Sequence, residues 1–414
     1  MATYIPFRGL RPHPSTVETV ASLPYDVLDS AEARQMAGDN PHSFLHIIKP
    51  EIDLPENTDP HDPQIYDKGA ENFTDFRKGT ILVQDEHPCF YLYRQVMGDH
   101  SQTGLVGLAS VEEYLYGTIK KHEHTRPDKV NDRTALMEAL GAQTGPVFLA
   151  YRQTEEMSEL IDGAFERSEL LYDFTGPYDV QHTFFRIVDP SFQEKIRSAF
   201  ANLPALYIAD GHHRSESAAE YCKRQRQHLG AITGKESFNY FLTVTFPHTD
   251  LLILPYNRAV RDLNGLESEQ FLSKLNESFE IESINESFSG VSEANTFAMY
   301  LEGDWYLLSA KDHIRDVGNA VKSLDVSILQ DNVLGPILDI DDPRTNSRIQ
   351  FIGGIRGNEE LKRLVDSGEY KVAFSVYPTS MTQVMDVADE GKVMPPKSTW
   401  FEPKLLSGMV SHLF

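Results

Sequence analysis

Cysteine is almost absent from this 414-residue chain, which contains only Cys89 and Cys222. Two thiols so far apart in sequence indicate neither a disulfide framework nor a cysteine-based zinc site. The sequence also has no apolar stretch of membrane-spanning length, and its first residues lack the basic start and apolar core of a signal peptide. These absences predict a protein of the reduced cytoplasm that does not insert into a membrane.

Basic residues are scarce as well. The chain has 38 Lys and Arg against 62 Asp and Glu, which gives a formal net charge of -24. The field of such a charge repels DNA, RNA and anionic lipid, and no long run of Lys or Arg provides a local basic patch. We therefore expect neither a nucleic acid nor a membrane as a partner. The sequence leaves open whether the chain forms a homodimer.

Strand-like and helix-like segments alternate along the chain, which predicts an α/β (α+β) fold with mixed-sheet layers. Apolar or alternating runs predict strands at 42–49, 90–96, 105–111, 147–151, 183–188, 205–209, 238–246, 251–254, 298–301, 304–310, 351–355 and 371–377. Helical spacing predicts helices at 31–36 with Ser30 as the N-cap, 66–78, 134–140, 155–167, 191–201, 215–224, 266–279 and 325–334.

The length of the chain favours more than one packed unit. We expect a boundary near residue 250, with a catalytic region in residues 1–250 and a second α/β region in residues 251–414. The C-terminal loop of the second region is expected to return to the site in the first.

The sequence Asp210-Gly211-His212-His213-Arg214 stands between an apolar run and a predicted helix. A strand–turn–helix junction presents unpaired backbone N–H groups and the positive end of the helix dipole, which suits a phosphate or a carboxylate. The planar guanidinium of Arg214 matches phosphate geometry, while Asp210 would orient a histidine or reach a metal ion. The alternative is an ordinary glycine turn with exposed histidines.

A second cluster of ionisable residues spans 119–133 and contains His122-Glu123-His124. Alternation on a strand would point both rings to one side, but two further ligands at a familiar zinc spacing are missing. Glu123 with His122 is a better candidate for a general base, or for a water-bridged Mg²⁺ ligand together with Asp210. The alternative is a solvated charged loop.

A third candidate is Lys397-Ser398-Thr399, which looks like the end of a Walker A loop. The glycines of that loop are missing, and the two prolines before Lys397 have no N–H to donate to a phosphate. A lysine with two neighbouring hydroxyls can still bind phosphate. The turn that contains Tyr25-Asp26 is by itself no evidence of a functional site, since Pro-Tyr-Asp is an ordinary turn.

Four segments together resemble a family of uncharacterised bacterial proteins that genomes often label SpoOJ/ParB-like. The resemblance spans nearly the whole chain and is carried by 23–27 (Leu-Pro-Tyr-Asp-Val), 122–125 (His-Glu-His-Thr), 207–214, and 394–399 continuing through Pro403-Lys404 to Ser407-Gly408. It implies a ParB/sulfiredoxin-like nucleotide-binding unit, related to the group that includes a free serine kinase. In that group a Gly-x-x-Arg turn at a helix start binds nucleotide phosphates.

By position, the resemblance implies that Gly211 and Arg214 contact the nucleotide phosphates, with His212 and His213 as the intervening pair. The candidate cofactor-binding residues are therefore Gly211, His212, Arg214, Lys397, Ser398, Thr399 and Lys404. The catalytic cysteine of sulfiredoxin is replaced here by His212, which argues against sulfinic-acid reduction. No helix-turn-helix of the ParB kind follows. The free serine kinase branch therefore fits best.

The sequence thus predicts an enzyme that transfers a phosphoryl group between ATP or ADP and a small hydroxylated metabolite, with Mg²⁺ as a cofactor. Serine or phosphoserine is the first candidate, so the activity would be that of a serine kinase or a phosphoserine phosphatase. Arg214, His213 and Lys397 would stabilise the transferring group. Glu123 or Asp26 would accept the hydroxyl proton or hold the metal.

The alternative is a nucleotide-responsive ParB-like switch protein that binds without catalysis. The cluster at 122–133 distinguishes the two functions. An enzyme requires this cluster beside Asp210–Arg214, whereas a pure binder does not. A separation above a Debye length, ~10 Å, would favour the binder.

Overall fold

The structure is a computed structural model that describes residues 2–230, 232–284 and 290–414. The short helix Asp325–Leu329 continues into a π-helical turn, Gln330–Leu334. In chain order, the α-helices of the described residues are α1 (Val17–Val20), α2 (Ser30–Ala37), α3 (Leu45–Ile48), α4 (Pro63–Lys78), α5 (Val111–Leu115), α6 (Pro127–Leu140), α7 (Glu155–Glu166), α8 (Pro190–Asn202), α9 (His212–Leu229), α10 (Ser268–Ser278), α11 (Asp325–Leu329), α12 (Gly357–Asp366) and α13 (Met381–Asp389).

The strands of the described residues are, in chain order, β1 (Tyr4–Ile5), β2 (Leu10–Pro12), β3 (Leu82–Gln84), β4 (Phe90–Met97), β5 (His100–Ser110), β6 (Ile119–Lys120), β7 (Ala142–Gln143), β8 (Val147–Tyr151), β9 (Glu169–Thr175), β10 (Gln181–Ile187), β11 (Leu206–Asp210), β12 (Tyr240–Pro247), β13 (Leu252–Leu254), β14 (Tyr256–Val260), β15 (Phe279–Ile284), β16 (Thr296–Leu301), β17 (Asp304–Ala310), β18 (Ile349–Gly353), β19 (Val372–Val376), β20 (Trp400–Glu402) and β21 (His412–Leu413).

The chain forms two compact units, Met1–Leu251 with Pro403–Phe414, and Leu252–Glu402. The first unit is built on a nine-stranded sheet in the order β6-β11-β8-β12-β5-β4-β10-β9, with β1 also paired to β5. The pairs β6–β11 and β8–β12 are parallel, and the others are antiparallel. This mixed sheet with helices confirms the predicted α/β class.

The position of β11 decides where the sequence motifs meet. It lies between β6 and β8 in the sheet. Because β6 and β11 are parallel, with Lys120 opposite Tyr207, their C-terminal ends reach the same edge of the sheet. The helix that follows, α9, buries Ala218, Ala219 and Cys222 in the core of the unit. That packing fixes the start of α9 at this edge.

The second unit contains a six-stranded sheet in the order β15-β17-β16-β19-β14-β18, in which every pair is antiparallel. Helix α12 packs Leu361, Leu364 and Val365 into a cluster with Tyr300 and Trp305. The apolar residues of α12 thus lie on one face of the helix, and this face packs against the sheet. A separate two-stranded sheet pairs β13 with β20.

The predicted strand at 42–49 is wrong, because Leu45–Ile48 forms the helix α3. Leu45, Ile47 and Ile48 are all buried, so their burial does not alternate as it would on a strand with one exposed face. A short apolar run cannot be assigned by periodicity alone.

Other boundaries also differ from the predictions. Helix α6 begins at Pro127 rather than at Thr134, with proline in the first turn, where its missing N–H costs nothing. The N-cap of α2 is Asp29, not Ser30, since the Asp29 carboxylate accepts from the N–H of Glu32. Among the elements that the sequence patterns missed are β9, β14, β15, α5, α12 and α13.

Gly107 on β5 provides a test of this packing. A Cβ there would lie 2.7 Å from Tyr4 Cε1 and 2.9 Å from Phe90 Cε1, and both rings are buried. We expect Gly107→Ala to lower the free energy of unfolding by ~1–3 kcal/mol through overpacking. Urea denaturation measures the change.

The matched control is Gly163→Ala within α7, where the nearest atom to the added methyl group is Arg167 Nη1, at 3.4 Å. Alanine is the better helix former, so we expect this variant to gain ~0.5–1 kcal/mol. Equal urea midpoints for the two variants would contradict the packing described for β5.

Candidate functional site

The turn between β11 and α9 leaves the first backbone N–H groups of a long helix without a capping side chain among the described residues. Gly211 has a φ of +95°, a conformation that favours glycine, and a Cβ there would lie 3.5 Å from Val147 Cα. Within the described part of the chain no side chain caps α9 at Gly211. The first N–H groups of α9, those of His212, His213 and Arg214, therefore have no intrahelical acceptor.

The guanidinium of Arg214 lies directly beside this turn. Its Nη2 donates to Asp26 Oδ2 at 2.9 Å, and its Nη1 donates to the Pro146 carbonyl. Its Nε is buried without a hydrogen-bond partner among the described residues. A Cβ added at Gly211 would lie only 3.4 Å from this Nε. Burial lowers the pKa of Arg214, but Asp26 and Asp210 outweigh that effect and raise it, so the group stays charged.

A second cation comes from the C-terminal segment. Lys404 Nζ lies 3.0 Å from Asp210 Oδ2, and the other carboxylate oxygen accepts from the N–H of Gly211 at 2.8 Å. Burial raises the pKa of the Asp210 carboxyl, but the charges of Lys404 and Arg214 outweigh it and hold that pKa well below its usual range. Asp210 is therefore ionised at neutral pH.

The segment after β6 contacts the start of α9. The rings of His122 and His212 meet edge to face, with centroids 4.4 Å apart. The N–H of His122 donates to His212 Nε2 at 3.4 Å, and the N–H of Arg126 donates to His213 Nε2 at 3.1 Å. The two ionisable clusters of the sequence are thus in direct contact, well within ~10 Å.

The segment is irregular rather than a strand, because β6 ends at Lys120. His122 is buried, whereas His124 is exposed, so the two rings do not share one side as a strand would require. The strand geometry that would pair His122 with His124 as metal ligands, the less favoured alternative in the sequence, is therefore not present.

Burial keeps the histidines of the site neutral. Burial lowers the pKa of His122 to about 4, although a hydrogen bond to the Ile208 carbonyl opposes the shift. Burial and the neighbouring His122 hold the pKa of His212 well below its usual range, and burial also lowers the pKa of His213. At neutral pH the positive side-chain charge beside Asp210 therefore comes from Arg214 and Lys404.

The two carboxylates considered as proton acceptors differ in their surroundings. Asp26 is ion-paired with Arg214. Glu123 has a side chain that is 41% exposed, and its Oε2 lies 3.9 Å from His212 Nδ1. Glu123 therefore combines access to solvent with proximity to the start of α9.

Lys397, Ser398 and Thr399 belong to the second unit. There Arg258 Nη2 donates to the Lys397 carbonyl at 3.0 Å, and the Ser398 hydroxyl donates to the Pro395 carbonyl at 2.6 Å. Asp210, Arg214 and Lys404 all belong to the first unit.

Two backbone groups of the site were not found from the sequence: the Pro146 carbonyl, which binds Arg214, and the N–H of Arg126, which binds His213. Every residue carries a backbone carbonyl, so nothing in the sequence marks the one at Pro146. Its recruitment follows from the antiparallel pairing of β8 with β11.

The described ranges 2–230, 232–284 and 290–414 contain no group of three or more His, Cys, Asp or Glu side chains able to hold a metal ion. Both oxygens of Asp210, one of the two predicted metal ligands, already accept from N–H groups. In the same ranges, none of the helices has the length and apolarity needed to cross a membrane.

A family model described as "Protein of unknown function (DUF1015)" matches residues 4–327. No curated protein shows a significant match. Among solved structures, a free serine kinase in complex with AMP is 14% identical, with a TM-score of 0.35, over 71% of this chain and 86% of its own.

Two further structures are similar to the same degree. SbnI with a C-terminal truncation, from Staphylococcus aureus, is 12% identical, with a TM-score of 0.37, over 73% of this chain and 85% of its own. A conserved hypothetical protein from Pyrococcus furiosus is 15% identical, with a TM-score of 0.34, over 71% and 89%. Likenesses at this level carry no argument about function.

The buried His122 predicts a pH dependence. Its pKa moves from 6.5 to about 4 on folding. A depressed folded pKa gives stability that is complete above pH 6.5 and is lost as the pH falls toward 4, by up to ~3 kcal/mol. We expect His122→Gln to flatten the pH dependence of the unfolding free energy between these values.

The control is His124→Gln, at an exposed position two residues later. Urea denaturation at several pH values measures both variants against the unsubstituted protein. An unchanged slope in His122→Gln would show that His122 is not held neutral in the folded state.

Proposed function

The chain belongs to the DUF1015 family of proteins of unknown function, and we propose that it binds a nucleotide phosphate at the start of α9 and transfers a phosphoryl group. The acceptor is a small hydroxylated metabolite, with serine as the first candidate, and the reaction takes place in the cytoplasm. The observation that supports this proposal most strongly is the contact between the segment 122–126 and the turn Asp210–Arg214. In this proposal the first unit is a ParB/sulfiredoxin-like nucleotide-binding unit.

Three features support anion binding. The N-terminus of an 18-residue helix carries N–H groups and the positive end of the helix dipole. The buried Nε of Arg214 has an N–H that no acceptor satisfies in the described part of the chain, and leaving such a group unpaired is costly. Lys404 adds a second positive charge. A phosphate oxygen would satisfy the Arg214 Nε–H and shift Lys404 from Asp210 toward the ligand.

The proposed transfer uses the side chains at these positions. The acceptor hydroxyl oxygen forms a bond to the terminal phosphorus of ATP or ADP, and the bond from that phosphorus to the bridging oxygen breaks. The shortened nucleotide leaves with the electron pair, while Glu123 accepts the hydroxyl proton. Arg214 and Lys404 stabilise the negative charge on the transferring group. In the phosphatase form of the reaction, the oxygen of water forms a bond to the phosphorus of phosphoserine, and the bond from that phosphorus to the serine oxygen breaks. Glu123 accepts a proton from the water, and serine and inorganic phosphate leave.

Mg²⁺ accompanies nucleotides in most enzymes of this type, held by one or two carboxylates and the phosphates themselves. In the free protein both oxygens of Asp210 accept from N–H groups, so this carboxylate has no open position for Mg²⁺ unless a ligand displaces Lys404. The proposal therefore takes no step through a metal ion.

Lys404 tests the binding half of the proposal. We expect Lys404→Met to weaken ATP binding by ~10–150-fold, since a hydrogen bond to a charged group contributes ~1.5–3 kcal/mol. Isothermal titration with ATP, ADP and AMP measures the change.

Lys49→Met is the matched control, because Lys49 forms a 3.1 Å ion pair with Glu51 and is 12% exposed, against 13% for Lys404. Both variants remove one partly buried lysine from an ion pair. Equal affinities for ATP in Lys404→Met and in the unsubstituted protein would overturn the binding site.

Glu123 tests the catalytic half. We expect Glu123→Gln to lower the rate of phosphoserine formation from ATP or ADP and serine by ~10²–10⁴-fold, because a general base contributes about that much. ATP affinity should stay nearly unchanged. Glu138→Gln, at a carboxylate that is 36% exposed and pairs with Arg224, is the control.

Mass spectrometry of the reaction mixture detects phosphoserine, and the reverse assay follows its hydrolysis. Tight ATP binding that depends on Lys404, with neither product formed, would contradict catalysis. The chain would then be a nucleotide-responsive binding protein.

A further inference from the structure

Two glutamines lie in the core of the first unit, where apolar residues are the rule. Gln95 on β4 and Gln102 on β5 face each other in the strand register, and each is fully buried. Gln102 Nε2 donates to Gln95 Oε1 at 2.9 Å. A buried amide is costly unless its hydrogen bonds are satisfied, so its partners indicate why it is there.

The amide N–H groups of this pair also reach backbone carbonyls of the C-terminal segment, while Gln102 Oε1 lies 3.5 Å from His100 Nε2. Gln95 Nε2 donates to the Lys404 carbonyl at 2.8 Å, and Gln102 Nε2 lies 3.4 Å from the Pro403 carbonyl. Tyr93, two residues from Gln95, accepts from the N–H of Leu406 at 3.4 Å and bonds to His182 Nδ1 at 2.7 Å.

These bonds hold the backbone on both sides of Lys404, while its side chain reaches Asp210. The C-terminal segment has little regular structure here, since β20 ends at Glu402 and β21 begins at His412. Side chains of the β4–β5 hairpin therefore supply the hydrogen bonds that a strand would otherwise provide at this point.

We infer that Gln95 and Gln102 are positioning residues, which place the ammonium group of Lys404 against Asp210 at the start of α9. The inference rests on the proposed function for the use of that ammonium group. The placement itself stands on the hydrogen bonds described above, so it can be tested without any ligand.

The test is the reactivity of Lys404 toward acetic anhydride in the folded full-length chain, measured by peptide mass spectrometry. Gln95→Met keeps the length of the side chain and removes the donor. We expect Lys404 to be acetylated about fivefold faster in this variant. The reason is that losing one net hydrogen bond, ~1 kcal/mol, changes the equilibrium between the paired and the free ammonium group by about that factor. Lys49, which is equally buried in its own ion pair, should react at an unchanged rate.

The control variant is Asn239→Leu, which removes a buried amide that binds Arg226 in the last turn of α9, at the opposite end from Gly211. It should leave Lys404 reactivity unchanged. An equal rise at Lys404 and Lys49 in Gln95→Met, or no rise at Lys404, would overturn the inference. If Gln95→Met does not fold, Gln102→Met replaces it under the same criteria.

A double-mutant cycle connects this placement to ligand binding. As a single substitution, Gln95→Met should weaken ATP binding. When it is combined with Lys404→Met, it should cause no further loss of affinity. Additive effects would show that Gln95 acts elsewhere, and would overturn the inference. If the unsubstituted chain binds no nucleotide, the proposed function fails, while the acetylation result still decides the role of Gln95.

Discussion

The parallel pairing of β6 with β11 is the constraint on which the site depends. It sends the ends of two strands, far apart in sequence, to one edge of the sheet. One end continues into His122 and Glu123, and the other into Gly211 and α9. An antiparallel pair would have directed these segments to opposite edges. The contact of His122 with His212 is therefore a consequence of sheet topology before it is a matter of side-chain chemistry.

The second constraint is charge. A chain with a net charge of -24 has little positive potential to offer an anion. The site gathers two cations, Arg214 and Lys404, and balances each with one carboxylate. Full pairing in the free protein avoids the cost of burying unpaired charge. The anionic ligand that we propose would compete with Asp26 and Asp210 for donors that are already in place.

Sequence reasoning found the strand–turn–helix at Asp210–Arg214 because the signal is local: an apolar run, a glycine and a helix start. The helix α6 was found with a late start, since its first turn holds the charged residues that suggested a loop. The strand predicted at 42–49 failed because its apolar residues suit a buried helix equally well. The neutral state of His122 and His212 could not be predicted from the sequence, because it depends on burial that only the tertiary structure creates.

The contacts of Lys404 could not be predicted from its neighbours in the sequence. The resemblance pointed to it, but neither its pairing with Asp210 nor the bonds from Gln95 follow from nearby residues. The match to the DUF1015 model ends at residue 327, so Lys404 lies beyond it, and the chain completes the whole of Leu252–Glu402 before it reaches this lysine. Asp210 thus receives its counter-charge from a segment that rejoins the first unit last. A chain that ended before Pro403 would leave that carboxylate without the ammonium group that holds its pKa low.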